Sequence, residues 1–227
     1  KSPNHLLAYW NKETKTTDAM QFGTIIHKML LEPETFADEF AIFEGARRAG
    51  KQWVEFKEQN EGKTLIKQQE LDDANKIINN AMSHPVLTEM MQNKEAVEIR
   101  LDWEHKGVAF KGFADLLTTF NGRKCVVDIK TTFDAGRRFE RDLYYNDYKM
   151  QLAMYQDQYD KDTDVYIVAI ETTTPFNVQI YKLDDSLLLK GWMDYDYYTD
   201  KFKEWNGEPE GYSSDIVEIK TETEEIL

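Results

Sequence analysis

The sequence has 227 residues, 41% of them hydrophobic and 13% aromatic, enough for one sizeable core, and its net charge is −14. A single cysteine, Cys125, excludes an intramolecular disulfide framework, a four-cysteine zinc site and a cysteine-ligated iron–sulfur cluster. No apolar run approaches the ~20 residues of a membrane-spanning helix, and the acidic balance argues against a broad, tight, non-specific grip on nucleic acid.

Along the chain, the stretch from Ser2 to Trp10 is short and mixed. From Met20 to Leu31, apolar residues at Met20, Ile26, Met29, Leu30 and Leu31 predict a helix, with Asp18 as N-cap and Pro33 just past the end. A second, polar helix is expected from Arg47 to Glu61, ending near Gly62. Leu71, Ala74, Ile77, Ile78 and Ala81 make the apolar stripe of a third, followed by a fourth from Pro85 to Met91. Near Glu95 the period changes. Val97 to Trp103 and Val108 to Thr119 read as strands around a turn at His105-Lys106-Gly107, and Asn121-Gly122 is a two-residue hairpin signal into a third strand, Lys124 to Lys130. A helix from Tyr148 to Tyr159, a strand from Val165 to Glu171, its hairpin partner from Val178 to Leu183 and a helix from Ser186 to Trp205 follow. Leu187, Leu188, Trp192, Tyr195 and Phe202 are expected to face inward on that last helix. The whole reads as one domain of mixed α/β class: a helical section over 1–94, a core over 95–205, and an acidic, partly mobile tail over 206–227. The opening residues show no basic-then-apolar leader, so secretion is not expected, and the single cysteine fits a reducing, cytoplasmic compartment.

The chemistry concentrates in Gly112-Phe113-Ala114-Asp115 and Val126-Val127-Asp128-Ile129-Lys130-Thr131-Thr132. Asp128 and Lys130 lie two apart on a strand and so leave the same face. The hairpin brings Asp115 towards Asp128, and two adjoining carboxylates repel unless a divalent cation sits between them. Mg²⁺ is the natural cation, since it prefers hard oxygen ligands, and Mn²⁺ is expected to substitute. A metal-activated water could attack a phosphodiester, with Lys130 orienting it or stabilising developing charge. Asp-x-Lys alone would be an ordinary surface ion pair.

The order Gly-x-x-Asp, hairpin, Asp-Ile-Lys-Thr-Thr, then Gln151-Leu-Ala-Met-Tyr155 resembles the PD-(D/E)XK nuclease superfamily, in the branch with a Gln-xxx-Tyr pair on the next helix. Gly23-Thr24-Ile25-Ile26-His27 with Leu31-Glu32-Pro33-Glu34-Thr35-Phe36, Ser2-Pro3-Asn4-His5 and Arg47-Arg48-Ala49-Gly50-Lys51 resemble segments of RecE-type (exonuclease VIII-like) phage and prophage exonucleases. The resemblance runs to about Tyr159 and implies a restriction-endonuclease-like core, a mixed central sheet flanked by helices, with a helical N-terminal extension. It implies that His27, Asp115, Asp128 and the carbonyl of Ile129 bind metal. Lys130 would be the catalytic lysine, supported by Gln151 and Tyr155. One departure is that Asp115 follows Ala114 where the superfamily name has proline.

The same resemblance implies exonuclease action on linear duplex DNA from 5′ ends, leaving 3′ strands for recombination in a bacterial host cell. A single-strand annealing partner and a homo-oligomeric ring go with it. The alternatives are a non-catalytic DNA-end-binding module and an endonuclease of the same fold. Arg47, Arg48, Lys51, Arg137, Arg138 and Arg141 are the candidate phosphate contacts, being the local basic clusters of an acidic chain. Glu98 is weighed as a further carboxylate near the metal, with a strand-edge surface position favoured. Trp53 and Phe56 are expected to pack, and His84 and His105 to play no part.

Overall fold

The computed structural model describes residues 2–12 and 16–211. The acidic tail expected over 206–227 therefore lies outside the described residues from 212 onward.

A five-stranded sheet forms the centre, built from β3 (Lys94–His105), β4 (Val108–Phe120), β5 (Arg123–Thr132), β6 (Asp164–Glu171) and β7 (Val178–Lys182), side by side in that order. Neighbours are antiparallel except β5 and β6, which run parallel, so the sheet is mixed. Both tight hairpins form where the sequence signals them. Lys106 and Gly107 have φ of 50° and 80°, and Asn121 and Gly122 have 50° and 73°, the left-handed pairs that match strand twist. Strand β6 is buried along nearly its whole length, which explains its continuous apolar run.

Helices cover both faces of this sheet. On one face lie α2 (Asp18–Leu31), α5 (Gln68–Ala81) and α6 (Pro85–Gln92), whose Ile25, Ile26, Leu30, Ala74, Ile77, Leu87 and Met90 meet Leu116, Val127 and Ile129. On the other lie α7 (Arg137–Tyr145), α8 (Tyr148–Asp157) and α9 (Asp185–Glu204), with Phe139, Leu143, Leu152 and Leu188 against Val126, Val165 and Ile167. The N-terminal section thus supplies one covering layer of the sheet rather than hanging from it. Thr118 ties it further, its hydroxyl donating to the Met90 carbonyl at 2.6 Å.

Several elements differ from the sequence reading. Residues Pro3–Trp10 form a helix, α1, with proline in its first turn. Thr17, not Asp18, caps α2, its hydroxyl accepting from the Met20 N–H at 3.2 Å. The N-terminal section is not wholly helical: after the one-turn α3 (Phe36–Glu39), β1 (Phe40–Phe43) and β2 (Thr64–Lys67) pair in parallel around α4 (Gly50–Gln59). Strands of four residues are too short to show a period, which is why they read as connections. Helix α7 is also new, since its two buried residues, Phe139 and Leu143, are too few to make a sequence stripe. On α9 the inward residues are Leu188, Gly191, Tyr195 and Thr199, whereas Trp192 and Phe202 are 39% and 44% exposed. Gly191 sets that rotation, because a Cβ there would collide with the Lys149 carbonyl of α8. Among the described residues no helix is long and apolar enough to cross a membrane.

Candidate active site

The site forms where β4 and β5 part. Their pairing runs from Phe120↔Arg123 to Leu116↔Val127 and stops there. Beyond that point the peptide groups of Ile129 have lost the neighbour that would satisfy them. Two side chains take over. The Ile129 N–H donates to Asp115 Oδ2 at 2.6 Å, and its carbonyl accepts from His27 Nε2 at 2.7 Å. Helix α2 can bring His27 this close because Gly23, one turn earlier, lies against β5: a Cβ there would stand 2.9 Å from Thr131 Oγ1.

With Nε2 held by a backbone carbonyl, His27 turns Nδ1 towards two carboxylates, Asp115 Oδ2 at 3.9 Å and Glu98 Oε1 at 4.0 Å. Glu98 is on β3 opposite Asp115, between the pairs Val97↔Leu116 and Ile99↔Ala114, with a left-handed φ of 47°. A non-glycine residue held in that region carries strain, of the kind found at functional sites. It takes Glu98 out of the outward-facing phase of its strand. The sequence reading favours a strand-edge surface position for Glu98, and the left-handed backbone that redirects it has no sequence signal.

Asp128 is 2% exposed, and Lys130 Nζ grips it at 2.8 Å from Oδ1 and 2.7 Å from Oδ2. The Oδ2 contact is an ion pair without a well-oriented hydrogen bond, so this buried oxygen retains a lone pair to offer. The Lys130 ammonium also lies 5.0 Å from the centre of the Tyr148 ring, a cation–π contact from the first turn of α8. Tyr148 was not anticipated; an aromatic in a helix's first turn reads from sequence as packing.

The expected pair on α8 forms its own bond, Gln151 Nε2 donating to Tyr155 Oη at 3.0 Å. Tyr155 is buried against β4, where a Cβ at Gly112 would meet its ring at 2.6 Å. That contact accounts for the glycine in Gly-x-x-Asp. The residue of α8 that touches Lys130 is Tyr148.

Burial, then the charge of Asp128, raises Asp115 to about 6, against opposing pulls from His27, the Ile129 N–H and Lys130. Burial alone would lower His27 and Lys130. For His27, Glu98 and Asp115 outweigh it and the pKa is raised; for Lys130, Asp128 does so first. The site therefore concentrates acid against acid and retains protons to relieve it.

This arrangement fits a divalent cation. One ligand atom each from His27, Glu98 and Asp115 lie within 4.8 Å of one another, and the set is carboxylate oxygen plus one imidazole. The His27 Nε2–H on a carbonyl is also the outer hydrogen bond that orients a metal-binding histidine.

The basic candidates separate. Arg48 is half-buried and donates to Glu70 Oε2 at 2.6 Å and to the Leu65 carbonyl at 3.1 Å. Lys51 is exposed and 3.5 Å from Glu55, while Arg47, Arg137, Arg138 and Arg141 are exposed. Trp53 and Phe56 pack on Phe43, as expected, at 5.0 and 5.1 Å between ring centres. His105 pairs with Asp196 of α9 at 2.9 Å.

A mixed sheet with helices on both faces gathers His27, Asp115, Asp128 and Lys130 where β4 and β5 separate, an architecture consistent with a PDDEXK-like nuclease fold. The chain belongs to the family described as a PDDEXK-like domain of unknown function (DUF3799), which matches residues 1–220. Among solved structures, a protein described as a "Putative exonuclease" from Eubacterium rectale is similar in fold. Its TM-score is 0.58 at 16% identity, over 88% of this chain and 71% of that one. Two further structures score 0.28: SSO0001, at 21% identity over 45% of this chain and 50% of that one, and VC1899 from Vibrio cholerae, at 10% over 88% and 55%. Comparison with curated protein sequences returns no significant match.

Proposed function

We propose that the protein is a metal-dependent exodeoxyribonuclease of the RecE type that digests linear duplex DNA, from 5′ ends, to leave 3′ single strands for recombination. The observation that carries the reading is the convergence of His27, Glu98, Asp115, Asp128 and Lys130 around the freed Ile129 peptide groups. Mg²⁺, held by Asp115 and Asp128 with His27 and Glu98 beside them, would supply an activated water and neutralise phosphate charge. Mn²⁺ would serve in its place.

The chain's own residues do the rest. Lys130, fixed by Asp128 and the Tyr148 ring, presents an ammonium that stabilises negative charge accumulating on the phosphoryl oxygens. Asp115, its carboxylate anchored by the Ile129 N–H, needs no reorganisation to act as a ligand. Gln151 and Tyr155 brace the helix that brings Tyr148 to Lys130. The resemblance to RecE-type enzymes further supports a homo-oligomeric ring, an annealing partner and a bacterial cytoplasmic setting.

The test compares linear with closed circular duplex, each strand end labelled in turn, under Mg²⁺ and under Mn²⁺. Early loss of the 5′ label from linear DNA, with circles intact, is expected. Cleavage of circles would make the protein an endonuclease of the same fold, and early loss of the 3′ label would reverse the polarity.

A further inference from the structure

The chain's seven arginines divide sharply. Arg48, Arg100 and Arg123 are ion-paired with Glu70, Asp102 and Asp164. Arg137, Arg138 and Arg141, all on the nine-residue helix α7, are exposed and take part in no ion pair among the described residues. Glu140 and Asp142 share that helix but stand outside ion-pair distance of the three guanidinium groups. In a chain of net charge −14, three adjacent cations without an ion pair among the described residues are the exception.

Large aromatic side chains are exposed beside them: Phe133 at 65%, Tyr144 at 58% and Tyr145 at 83%. Helical spacing puts Arg137, Arg141 and the two tyrosines along one side of α7, while Phe139 and Leu143 face the core. Arg138 lies 5.7 Å above the Phe133 ring. Exposed phenyl and phenol faces cost apolar hydration unless something stacks on them.

The helix is fixed close to the active site. Phe139 stacks on Tyr148 at 6.0 Å between ring centres, and Tyr148 is the ring that carries the Lys130 ammonium. At the start of α7, the Ala135 N–H donates to the buried Glu171 at 3.1 Å, and the Ala135 carbonyl accepts from Tyr181 Oη at 2.6 Å. The surface is therefore pre-organised.

We infer that α7 and the Phe133 loop form a platform for an unpaired nucleic-acid strand, the arginines holding phosphates and Phe133, Tyr144 and Tyr145 stacking on bases. Alternation of cations with open aromatic faces matches single strands, whose bases are free to stack; a duplex hides them. This deepens the nuclease reading and rests on it for which strand is cut, while strand binding is measured without cleavage.

The experiment uses the full protein in EDTA, with fluorescence anisotropy of short oligo(dT), of an abasic strand of equal length, and of blunt duplex. The wild type should favour oligo(dT) over the abasic strand. A Phe133→Ala/Tyr144→Ala/Tyr145→Ala variant should lose that preference and bind oligo(dT) at least about a hundredfold more weakly. An Arg137→Gln/Arg138→Gln/Arg141→Gln variant should weaken both single strands and flatten the slope of log affinity against log salt by about 2. Equal wild-type binding of abasic and base-bearing strands overturns the stacking platform. So does competition by polyglutamate as effective as that by oligo(dT), which would mark a docking face for an acidic protein segment. If Asp128→Asn abolishes no cleavage because none exists, yet the aromatic variant still loses oligo(dT), the nuclease reading fails and this one stands.

Discussion

Asp115→Asn should make the metal-free protein more stable, although it removes a central residue of the site. The carboxylate is pushed up to about 6 from an ordinary 3.8, first by burial and then by Asp128. A group whose folded pKa is raised holds its proton more tightly folded than unfolded, so stability falls as pH rises from about 4 through 6. At pH 8 the penalty for keeping Asp115 ionised is roughly 3 kcal/mol, at about 1.4 kcal/mol per pH unit. Asparagine keeps the oxygen that accepts from the Ile129 N–H and sheds the charge. For a chain of this length that amounts to a rise in Tm of roughly 6–12 °C.

The assay is thermal unfolding of wild type and variant in EDTA from pH 5 to pH 8, repeated with Mn²⁺. In EDTA the wild type should lose stability with rising pH, His27 adding to the slope because its pKa is raised too. The variant should show a shallower slope. Metal at a hundred times its Kd should return about 2.7 kcal/mol to the wild type and little to the variant, closing the gap. A variant less stable than wild type at pH 8 in EDTA, or stabilised equally by Mn²⁺, would show that the Asp115 charge carries no such penalty.

Three further substitutions probe the supports. Lys130→Met should abolish cleavage and destabilise the metal-free fold by about 3 kcal/mol in urea unfolding, because it strands Asp128, buried at 2% exposure. Gly23→Ala should weaken Mn²⁺ binding by about 10–100-fold in calorimetry, since its Cβ meets Thr131 and lifts His27 from the Ile129 carbonyl. Gly112→Ala should cost about 1–3 kcal/mol of stability, read by urea unfolding, through its clash with the Tyr155 ring.

Much of this architecture is written locally in the sequence. The two hairpins follow from residue pairs that tolerate positive φ, and the α5 stripe and the apolar β6 run from burial on one face or two. Asp128 and Lys130 share a face because strands have a period of two. What escaped is what tertiary contact decides. Glu98 is redirected by a left-handed backbone, Tyr148 is placed by a helix start, and the turn of α9 that exposes Trp192 is set by Gly191 against α8. The arginines look alike as sequence, yet Arg48 is tied to Glu70 while those on α7 take part in no ion pair among the described residues. Partners that lie far apart in the chain make that difference.

The buried acids and Lys130 are proposed to form a metal-dependent phosphodiesterase centre. End-labelled linear duplex incubated with wild type and with Asp128→Asn, in Mg²⁺, Mn²⁺ and EDTA, tests it most directly. The wild type should release nucleotides with either metal, and neither the wild type in EDTA nor the variant should release any. Intact duplex under both metals, or equal cleavage by Asp128→Asn, would contradict it.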